Sequence, residues 1–256
     1  FPSFMSSCNI VIHEKSPNLI KVQKSKIKFK NIRWVANLNN LNNLPSIFLA
    51  NEFFDAIPIK QFFKDKNFWF EKYVRISSNK KASFVNKKTT IKEIEKKINF
   101  KIPYKQDFIE FSPLGSKYLR DIFKFLKKNK GGLLIVDYGY LSEKMKDTLQ
   151  AIHKKKYSKV LENIGKSDIT YNLNFYFIKK IAQNFKKLSI NFTSQRKFLI
   201  NLGIQQRAEI ICKNKTFTEK ADIFYRLKRL VDEKEMGSLF KVMLIKNLTN
   251  NSQPGF

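Results

Sequence analysis

The sequence predicts an α/β fold built on a largely parallel sheet, because three segments share one pattern. Each is a short run rich in Ile, Val or Leu that ends at an acidic or amide residue: NIVIHEKSP (9–17), SIFLANEFFDAIP (46–58) and GGLLIVDYGY (131–140). Such runs are typical of strands covered on both faces. Ligands of open α/β sheets bind beyond the carboxyl ends of the strands, so the polar residues that close these runs are expected at one edge.

Further patterns predict the remaining elements. IRWV (32–35) indicates a strand, and two aromatic runs separated by residues 64–67 indicate a hairpin. Residues 87–98 predict a polar helix, and residues 112–132 predict an amphipathic helix that leads into the third strand. Residues 142–157 and 172–188 are interpreted as helices, and residues 189–204 and 237–247 as strands of an antiparallel pair. We expect a single domain over residues 1–256, with the hairpin and polar helix as an insertion at about 60–110.

The composition is strongly basic, with a formal net charge of +29. Two explanations stay open: a background preference for Lys, or a functional surface for nucleic acid or anionic membranes. The two cysteines and two histidines are widely separated, which disfavours disulfides and zinc. No apolar run is long enough to span a membrane, and the first residues lack the features of a signal peptide. The cytoplasm or an organelle matrix is therefore the expected location.

The glycines exclude several common sites. The sequence contains 8 glycines, and no two are spaced as GxG, so neither GxGxxG nor a P-loop occurs within it. A GxSxG nucleophile elbow is also absent. Hydrolase and nucleotide-phosphate chemistry therefore lose most of their support.

ANEFFDAIPIKQF (50–62) resembles the signature of the MidA-like family, SAM-dependent methyltransferases tied to assembly of respiratory complex I. Further resemblances follow in the family's order at residues 108–113 (FIEFSP), 131–140, 147–175, 194–207 and 235–245, and at the terminal PGF. The resemblance implies a Rossmann-like class I methyltransferase sheet with a family-specific insertion. It also implies S-adenosyl-L-methionine as cofactor and an arginine of a complex I subunit as methyl acceptor, in the bacterial cytoplasm or the mitochondrial matrix.

The sequence departs from the family pattern in two places. HEKSPNLIKVQ (13–23) resembles the segment that follows the family's glycine-rich loop, so the first strand and that loop are expected to be missing ahead of residue 1. SAM binding is expected to be weak for that reason. Asn174 stands where the family has Asp, which argues against a carboxylate role at that position.

The first two strand ends supply candidate ligands for the cofactor and the acceptor. Glu14 is expected to accept the ribose hydroxyls of SAM, with Asn51 beside the cofactor, although Glu14 could instead cap the next helix through Ser16. Asn51, Glu52 and Asp55 are expected to orient the acceptor, because carboxylates pair with the rigid fork of a guanidinium. The alternative is that Asn51 or Asp55 caps a turn and Glu52 is an ordinary surface residue.

The third strand end supplies further candidates. Asp137 and Tyr138 are expected on the acceptor side of the cleft, with Gly139 allowing an unusual backbone angle; capping of the next helix is the alternative. Four more residues are candidates only through the resemblance: Gln150, His153, Asp168 and Thr170. Three aromatic residues of the hairpin are interpreted as its core, or as a patch that faces a partner: Phe68, Trp69 and Phe70.

Three functions follow from these observations. The first is a SAM-dependent protein arginine methyltransferase, which needs alignment and a dry site rather than a metal or a covalent nucleophile. The second is a non-catalytic assembly chaperone whose insertion binds a subunit. The third is a basic nucleic-acid binder, which is disfavoured because the aromatic residues lie in apolar runs rather than alternating with Lys. No specific nucleic acid and no membrane span are expected.

Overall fold

The computed structural model describes residues 2–249 and 251–256 and contains two compact units, one ending at Leu44 and one beginning at Pro45. The first unit contains, in order, α1 (Pro2–Ser7), β1 (Ile10–His13), α2 (Pro17–Lys26), β2 (Ile32–Val35) and a 3-10 helix (Leu38–Asn40). β1 and β2 are parallel, with His13 opposite Val35. The strands predicted from NIVIHEKSP and IRWV are therefore confirmed.

The second unit contains three sheets and most of the helices. Its elements are β3 (Ser46–Asn51), β4 (Lys60–Asp65), β5 (Phe68–Ile76), β6 (Ala82–Thr89), α3 (Ile91–Ile98), β7 (Phe108–Phe111), α4 (Pro113–Asn129), β8 (Gly131–Tyr140), β9 (Gln150–His153), β10 (Lys156–Ser158), β11 (Asp168–Thr170), β12 (Leu173–Asn174), α5 (Phe175–Gln183), β13 (Leu188–Ser194), α6 (Gln195–Asn201), α7 (Ile204–Cys212), α8 (Phe217–Val231), α9 (Met236–Leu239) and β14 (Phe240–Asn247). β9, β10 and β11 form a small antiparallel sheet.

β8 is the central strand of the main sheet. β3 and β12 run parallel to β8, while β14 pairs antiparallel along it and is followed by antiparallel β13. Leu133, Ile135 and Asp137 share one face of β8 and are fully buried, since alternate side chains of a strand point to the same side. α4 and α5 both contact β8. The predicted strands at β3 and β8 and the predicted antiparallel pair are confirmed.

A second, fully antiparallel sheet has the strand order β6-β5-β4-β7. One face of this sheet is buried through Phe62, Trp69 and Ile109. α3 lies against it, since Lys97 contacts both the Phe62 ring and Glu71. The hairpin and the two predicted helices of this region, α3 and α4, are present. The domain boundaries, including the insertion at about 60–110, stay a prediction.

The predicted helix over 142–157 is wrong. Polar groups hold this segment extended: the Met145 amide donates to the Gln106 side chain at 3.1 Å, and the Thr148 hydroxyl donates to Glu110. Lys154 and Lys155 then adopt left-handed backbone angles (φ 49° and 64°), which turn the chain from β9 into β10. Hydrogen bonds to residues elsewhere in the fold therefore override the helix preference of this segment.

The strand predicted over 189–204 is correct only in its first part. Ser194 ends β13 and accepts a hydrogen bond from the Lys197 amide at 3.3 Å, so it caps α6. The sequence interpretation also omitted β6 as a third strand of the insertion region. Among residues 2–249 and 251–256, no helix combines the length and the hydropathy that crossing a bilayer requires.

Candidate active site

The turn after β3 is fixed in an unusual backbone conformation. Glu52 has φ 44°, a left-handed angle that is uncommon for a residue other than glycine. Its amide donates to the Val136 carbonyl of β8 at 3.0 Å, which anchors the turn to the central strand. Both Asn51 and Glu52 are exposed. Strained conformations of this kind persist where the surrounding structure imposes them, and they concentrate at functional sites.

Asp137 supports this turn from inside the protein. One carboxylate oxygen accepts hydrogen bonds from the amides of Phe54 at 3.2 Å and Asp55 at 3.4 Å, and the other accepts from the Tyr138 amide at 2.9 Å. The pKa of Asp137 is raised to about 8, first by burial and then by the charge of Asp55. The side chain has no exposed surface. Asp137 is therefore placed to hold the 52–55 turn rather than to meet an acceptor directly.

Asp55 lies at the centre of an acidic group that also contains Glu52 and Asp168. Asp55 is only 3% exposed, and its pKa is raised to about 6, first by burial and then by the charges of Glu52 and Asp168. Asp168 is exposed and belongs to β11. We call Glu52, Asp55 and Asp168 the acidic triad. Within the residues that the structure describes, no three potential ligands are placed to hold a metal ion together.

Tyr138 adjoins the acidic triad. Its ring packs on Phe240, with a centroid separation of 4.0 Å, and its pKa is raised by burial and then by Glu52 and Asp55. Glu52, Asp55, Asp137 and Tyr138 are thus brought together, as the sequence predicted. Their roles stay predictions.

Gly139 corrects one detail of the sequence interpretation. It has no left-handed backbone angle; instead a Cβ atom at this position would lie 2.4 Å from the Leu173 carbonyl oxygen and 2.6 Å from the Phe175 ring. The glycine is needed so that β12 and the start of α5 can approach β8 closely.

A second polar cluster was not predicted as part of the site. Glu110 is 5% exposed and accepts hydrogen bonds from Gln61 at 2.6 Å and from Thr148. Gln61 also donates to Asp147 at 2.7 Å, and burial raises the pKa of Glu110. Glu110 and Thr148 both lie in motifs that carry the family resemblance, at 108–113 and 147–175, so a signal was present in the sequence.

Tyr171 connects this cluster to the acidic triad. Its amide donates to the Asp55 carbonyl at 3.3 Å, and the neighbouring Asn172 amide donates to the Thr148 hydroxyl at 2.9 Å. Burial raises the pKa of Tyr171, and the charges of Asp137, Glu110 and Asp55 add to that shift. The two clusters therefore form one hydrogen-bonded region.

Glu14 belongs to the first unit, where it closes β1. One carboxylate oxygen accepts the amides of Lys15 and Ser16, both at 2.8 Å, and the other lies 3.4 Å from the Gln23 side-chain nitrogen. Ser16 caps α2 by accepting the Leu19 amide at 3.3 Å. Both local capping and a fixed carboxylate orientation are therefore observed. The second oxygen has the chemistry that ribose hydroxyls require, since ionised carboxylates act only as acceptors.

Residues chosen only through the resemblance have local partners. Gln150 donates to the Thr170 hydroxyl at 3.3 Å, which joins β9 to β11, and His153 hydrogen-bonds to the Lys166 carbonyl at 3.0 Å. Asn174 caps α5 by accepting the Phe177 amide at 3.0 Å, and its side-chain nitrogen donates to the Ser142 carbonyl, also at 3.0 Å. A carboxylate could make the first of these bonds but not the second.

Comparisons with known proteins place the chain in a family. Residues 1–193 match the family model described as "Putative S-adenosyl-L-methionine-dependent methyltransferase". The zebrafish (Danio rerio) mitochondrial protein arginine methyltransferase NDUFAF7 is 28% identical over 231 residues, which cover 87% of this chain and 52% of that protein. The human (Homo sapiens) protein of the same name is 25% identical over 93% of this chain and 59% of its own length. The chain thus spans between half and three-fifths of these relatives.

Two crystal structures of proteins from Burkholderia thailandensis share the fold. One is 20% identical with a TM-score of 0.79 and covers 97% of this chain and 69% of its own. The other, bound to S-adenosyl-homocysteine, is 19% identical with a TM-score of 0.78 and covers 97% and 66%. These likenesses confirm the predicted methyltransferase fold. By the match of its first 193 residues, the chain belongs to this family of S-adenosyl-L-methionine-dependent methyltransferases.

Proposed function

We propose that this chain provides the acceptor site of a methyltransferase that transfers a methyl group from SAM to a protein arginine. The observation that carries the proposal is the acidic triad beside Tyr138, at the carboxyl ends of β3 and β8. The chain has a net charge of +29, so a concentration of carboxylates at this edge is not explained by composition. A guanidinium is the cation that fits it, and the names of the relatives specify arginine.

The two carboxylates of the 52–55 turn have different environments and thus different roles. Glu52 is exposed and can meet the incoming guanidinium first. Asp55 is buried, where a charge-assisted hydrogen bond is stronger because water competes less. An arriving guanidinium stabilises the ionised form of Asp55 and lowers its raised pKa. Together the two can fix a guanidinium nitrogen in one orientation, which is a large part of catalysis of a displacement.

The same residues account for the proton and the exclusion of water. SAM, when bound, supplies an electrophilic methyl group. The guanidinium nitrogen gains the methyl group as the carbon–sulfur bond to the leaving S-adenosyl-homocysteine breaks, and it loses a proton that a carboxylate oxygen of Asp55 can accept. Phe54 is 2% exposed and packs edge-on against Phe53, at a centroid distance of 5.1 Å. These rings shield the inner side of the turn from solvent, which strengthens the electrostatic contacts there.

The cofactor contacts are proposed residue by residue. Glu14 has a carboxylate oriented by two amides at 2.8 Å and matches the family position for a ribose ligand. Asn51 is exposed at the end of β3 and offers both a donor and an acceptor. Each side chain, taken by itself, has donor or acceptor chemistry that an adenosyl group can use.

The proposed acceptor is a subunit of respiratory complex I, as the family resemblance implies. The relatives are named as mitochondrial proteins, so we propose the mitochondrial matrix as the location, with the bacterial cytoplasm as the alternative. The non-catalytic assembly module is kept as the rival function.

The acceptor site can be tested with the variants Glu52→Gln and Asp55→Asn, which keep the shape and remove the charge. Transfer of a labelled methyl group to an arginine peptide should fall by at least about tenfold, since each ~1.4 kcal/mol of lost contact changes the rate tenfold. The SAM dissociation constant, measured by calorimetry, should change little. Glu162→Gln, an exposed carboxylate outside the site, serves as the matched control.

Wild-type transfer rates in both site variants would refute the acceptor role. Absence of SAM binding and of transfer in a version that includes the family's glycine-rich loop would instead favour the assembly module. Glu14→Gln should show the opposite pattern and weaken SAM binding first, because it changes the ribose contact rather than the acceptor contact.

A further inference from the structure

The small sheet of β9, β10 and β11 presents one row of side chains to solvent. Its register places Tyr157 of β10 and Asp168 of β11 on either side of Ile152 in β9, so these three side chains share one face. Tyr157 is 82% exposed and Ile152 37%, and Asp168 is also exposed. Ala151, which points to the opposite face, is fully buried. We call Tyr157, Ile152 and Asp168 the exposed row.

The exposed row adjoins the acidic triad. Asp168 belongs to both, and the chain that leaves β11 is held to the turn after β3, because the Tyr171 amide donates to the Asp55 carbonyl at 3.3 Å. At the other end of the row, Tyr157 lies close enough to Tyr138 to contribute to the raised pKa of that residue, after burial and three neighbouring carboxylates. The row is therefore a solvent-exposed extension of the candidate acceptor site and not a separate patch.

The face that carries the exposed row is acidic although the chain is strongly basic. Asp168 is its charged residue, whereas Lys156, the lysine within these three strands, precedes Tyr157 and so points to the opposite face. Gln150 and Thr170 lie on the face of the row, are uncharged and are hydrogen-bonded to each other at 3.3 Å. The lysines of the turn between β9 and β10 come after the row along the chain. A ligand of this face should therefore be cationic at one end and apolar along its length.

We infer that the exposed row binds the side chain of the acceptor arginine along its length. The inference rests on the proposed function and specifies how that site recognises its substrate. Two strand spacings separate the ends of the row by ~10 Å, about the reach of an extended arginine side chain together with its main chain. The guanidinium then meets Asp168 and the rest of the acidic triad, the methylene groups pack on Ile152, and the substrate main chain lies against the Tyr157 ring.

The order of the groups along the row favours arginine over other ligands. A guanidinium pairs with carboxylates through a rigid fork of donors, whereas an ammonium is a compact point charge. The stem of a long cationic side chain is apolar and packs on apolar surface while its charged end stays polar. The Tyr157 ring offers a large contact area at a low cost in conformational entropy. An anionic ligand such as a nucleic acid would instead place its charge against the carboxylates.

The test uses fluorescence anisotropy with a short labelled peptide of glycine and serine that contains a single central arginine. Ile152→Ser and Tyr157→Ser should each weaken binding at least about fivefold, while Tyr157→Phe should keep it, because the ring makes the contact. Ile169→Ser, 41% exposed on the opposite face of the same sheet, is the matched control for Ile152. Tyr225→Ser, 63% exposed on α8, is the control for Tyr157. Both controls should bind within about twofold of the wild type.

A kinetic measurement distinguishes substrate recognition from a general loss of structure. In a version that includes the family's glycine-rich loop, Ile152→Ser and Tyr157→Ser should raise the KM for the peptide at least about fivefold. The dissociation constant of SAM should stay the same, because neither residue is proposed to contact the cofactor. A peptide with glutamine in place of arginine should bind the wild type at least about fivefold more weakly.

The outcomes separate this inference from the proposed function. Weaker peptide binding by Glu52→Gln and Asp55→Asn, with wild-type binding by Ile152→Ser and Tyr157→Ser, overturns the inference and leaves the acceptor site standing. Weaker binding by the two row variants, with wild-type methyl transfer in Glu52→Gln and Asp55→Asn, supports the row and refutes the acceptor role of the turn. Equal losses in the row variants and their controls overturn the inference. So does equal binding of the arginine and glutamine peptides by the wild type.

Discussion

Replacing Asp137 by Asn should change how the stability of the protein depends on pH. Burial raises the pKa of Asp137 to about 8 in the folded state, from an ordinary value of 3.8. Between those values the native chain holds a proton that the unfolded chain has released. The free energy of unfolding therefore falls as pH rises across this window. Over the three pH units from about 5 to about 8, the titration of Asp137 alone would lower the free energy of unfolding by ~4 kcal/mol.

Urea unfolding at several pH values measures this slope. We expect the wild-type chain to lose at least ~2 kcal/mol of stability between about pH 5 and pH 8. The amide does not ionise, so Asp137→Asn should be less stable at low pH, where it disturbs the bond to the Tyr138 amide, yet nearly flat across the window. Asp55, whose pKa is raised to about 6, leaves a smaller slope near the acidic end. If the free energy of unfolding changed with pH by the same amount in the wild type and in Asp137→Asn, the reasoning would be refuted.

Two further predictions, one on close packing and one on a helix cap, can be checked by the same urea unfolding assay. Gly139→Ala should destabilise the protein by more than ~2 kcal/mol, because the new Cβ would meet the Leu173 carbonyl oxygen at 2.4 Å; an unchanged urea midpoint would contradict this. Ser112→Ala should cost ~1–2 kcal/mol, because the hydroxyl accepts the Gly115 amide at 2.9 Å and donates to the Pro58 carbonyl at 2.8 Å. If the free energy of unfolding fell by only about 0.3 kcal/mol, another group would be replacing the Ser112 hydroxyl as the cap.

Local sequence patterns were sufficient for several strands of both units and for α4. Apolar runs that end at a polar residue located β1, β3 and β8, because strands buried on both faces require such runs. Ser112 followed by Pro113 located the start of α4, where the serine caps the helix and the proline fits its first position. In each case the determining interaction lies within a few residues of the signal.

The same approach failed where distant groups decide the local structure. Residues 142–157 contain many helix formers, yet Gln106 and Glu110 bind this segment from across the fold and keep it extended. Gly139 showed the same limit, because the constraint comes from Leu173 and Phe175 and not from the backbone angle of the glycine. The distant residues that impose these two structures cannot be identified from spacing along the chain.

In the candidate site, some residues could be predicted from the local sequence, while others depend on contacts with distant residues. The order Asn51, Glu52, Asp55 after an apolar run, together with the family resemblance, led to an acceptor site that stays a prediction, whereas the contacts of Asp137 are revealed only by the structure. Its carboxylate binds the Phe54 amide, which is 83 residues away in sequence, and so fixes the turn that presents Glu52 and Asp55. A carboxylate with no exposed surface can thus set the geometry of the neighbouring turn, which carries Glu52 and Asp55. The acidic triad therefore depends on the central strand as well as on its own residues, because Asp137 of β8 holds the turn that carries two of its three members.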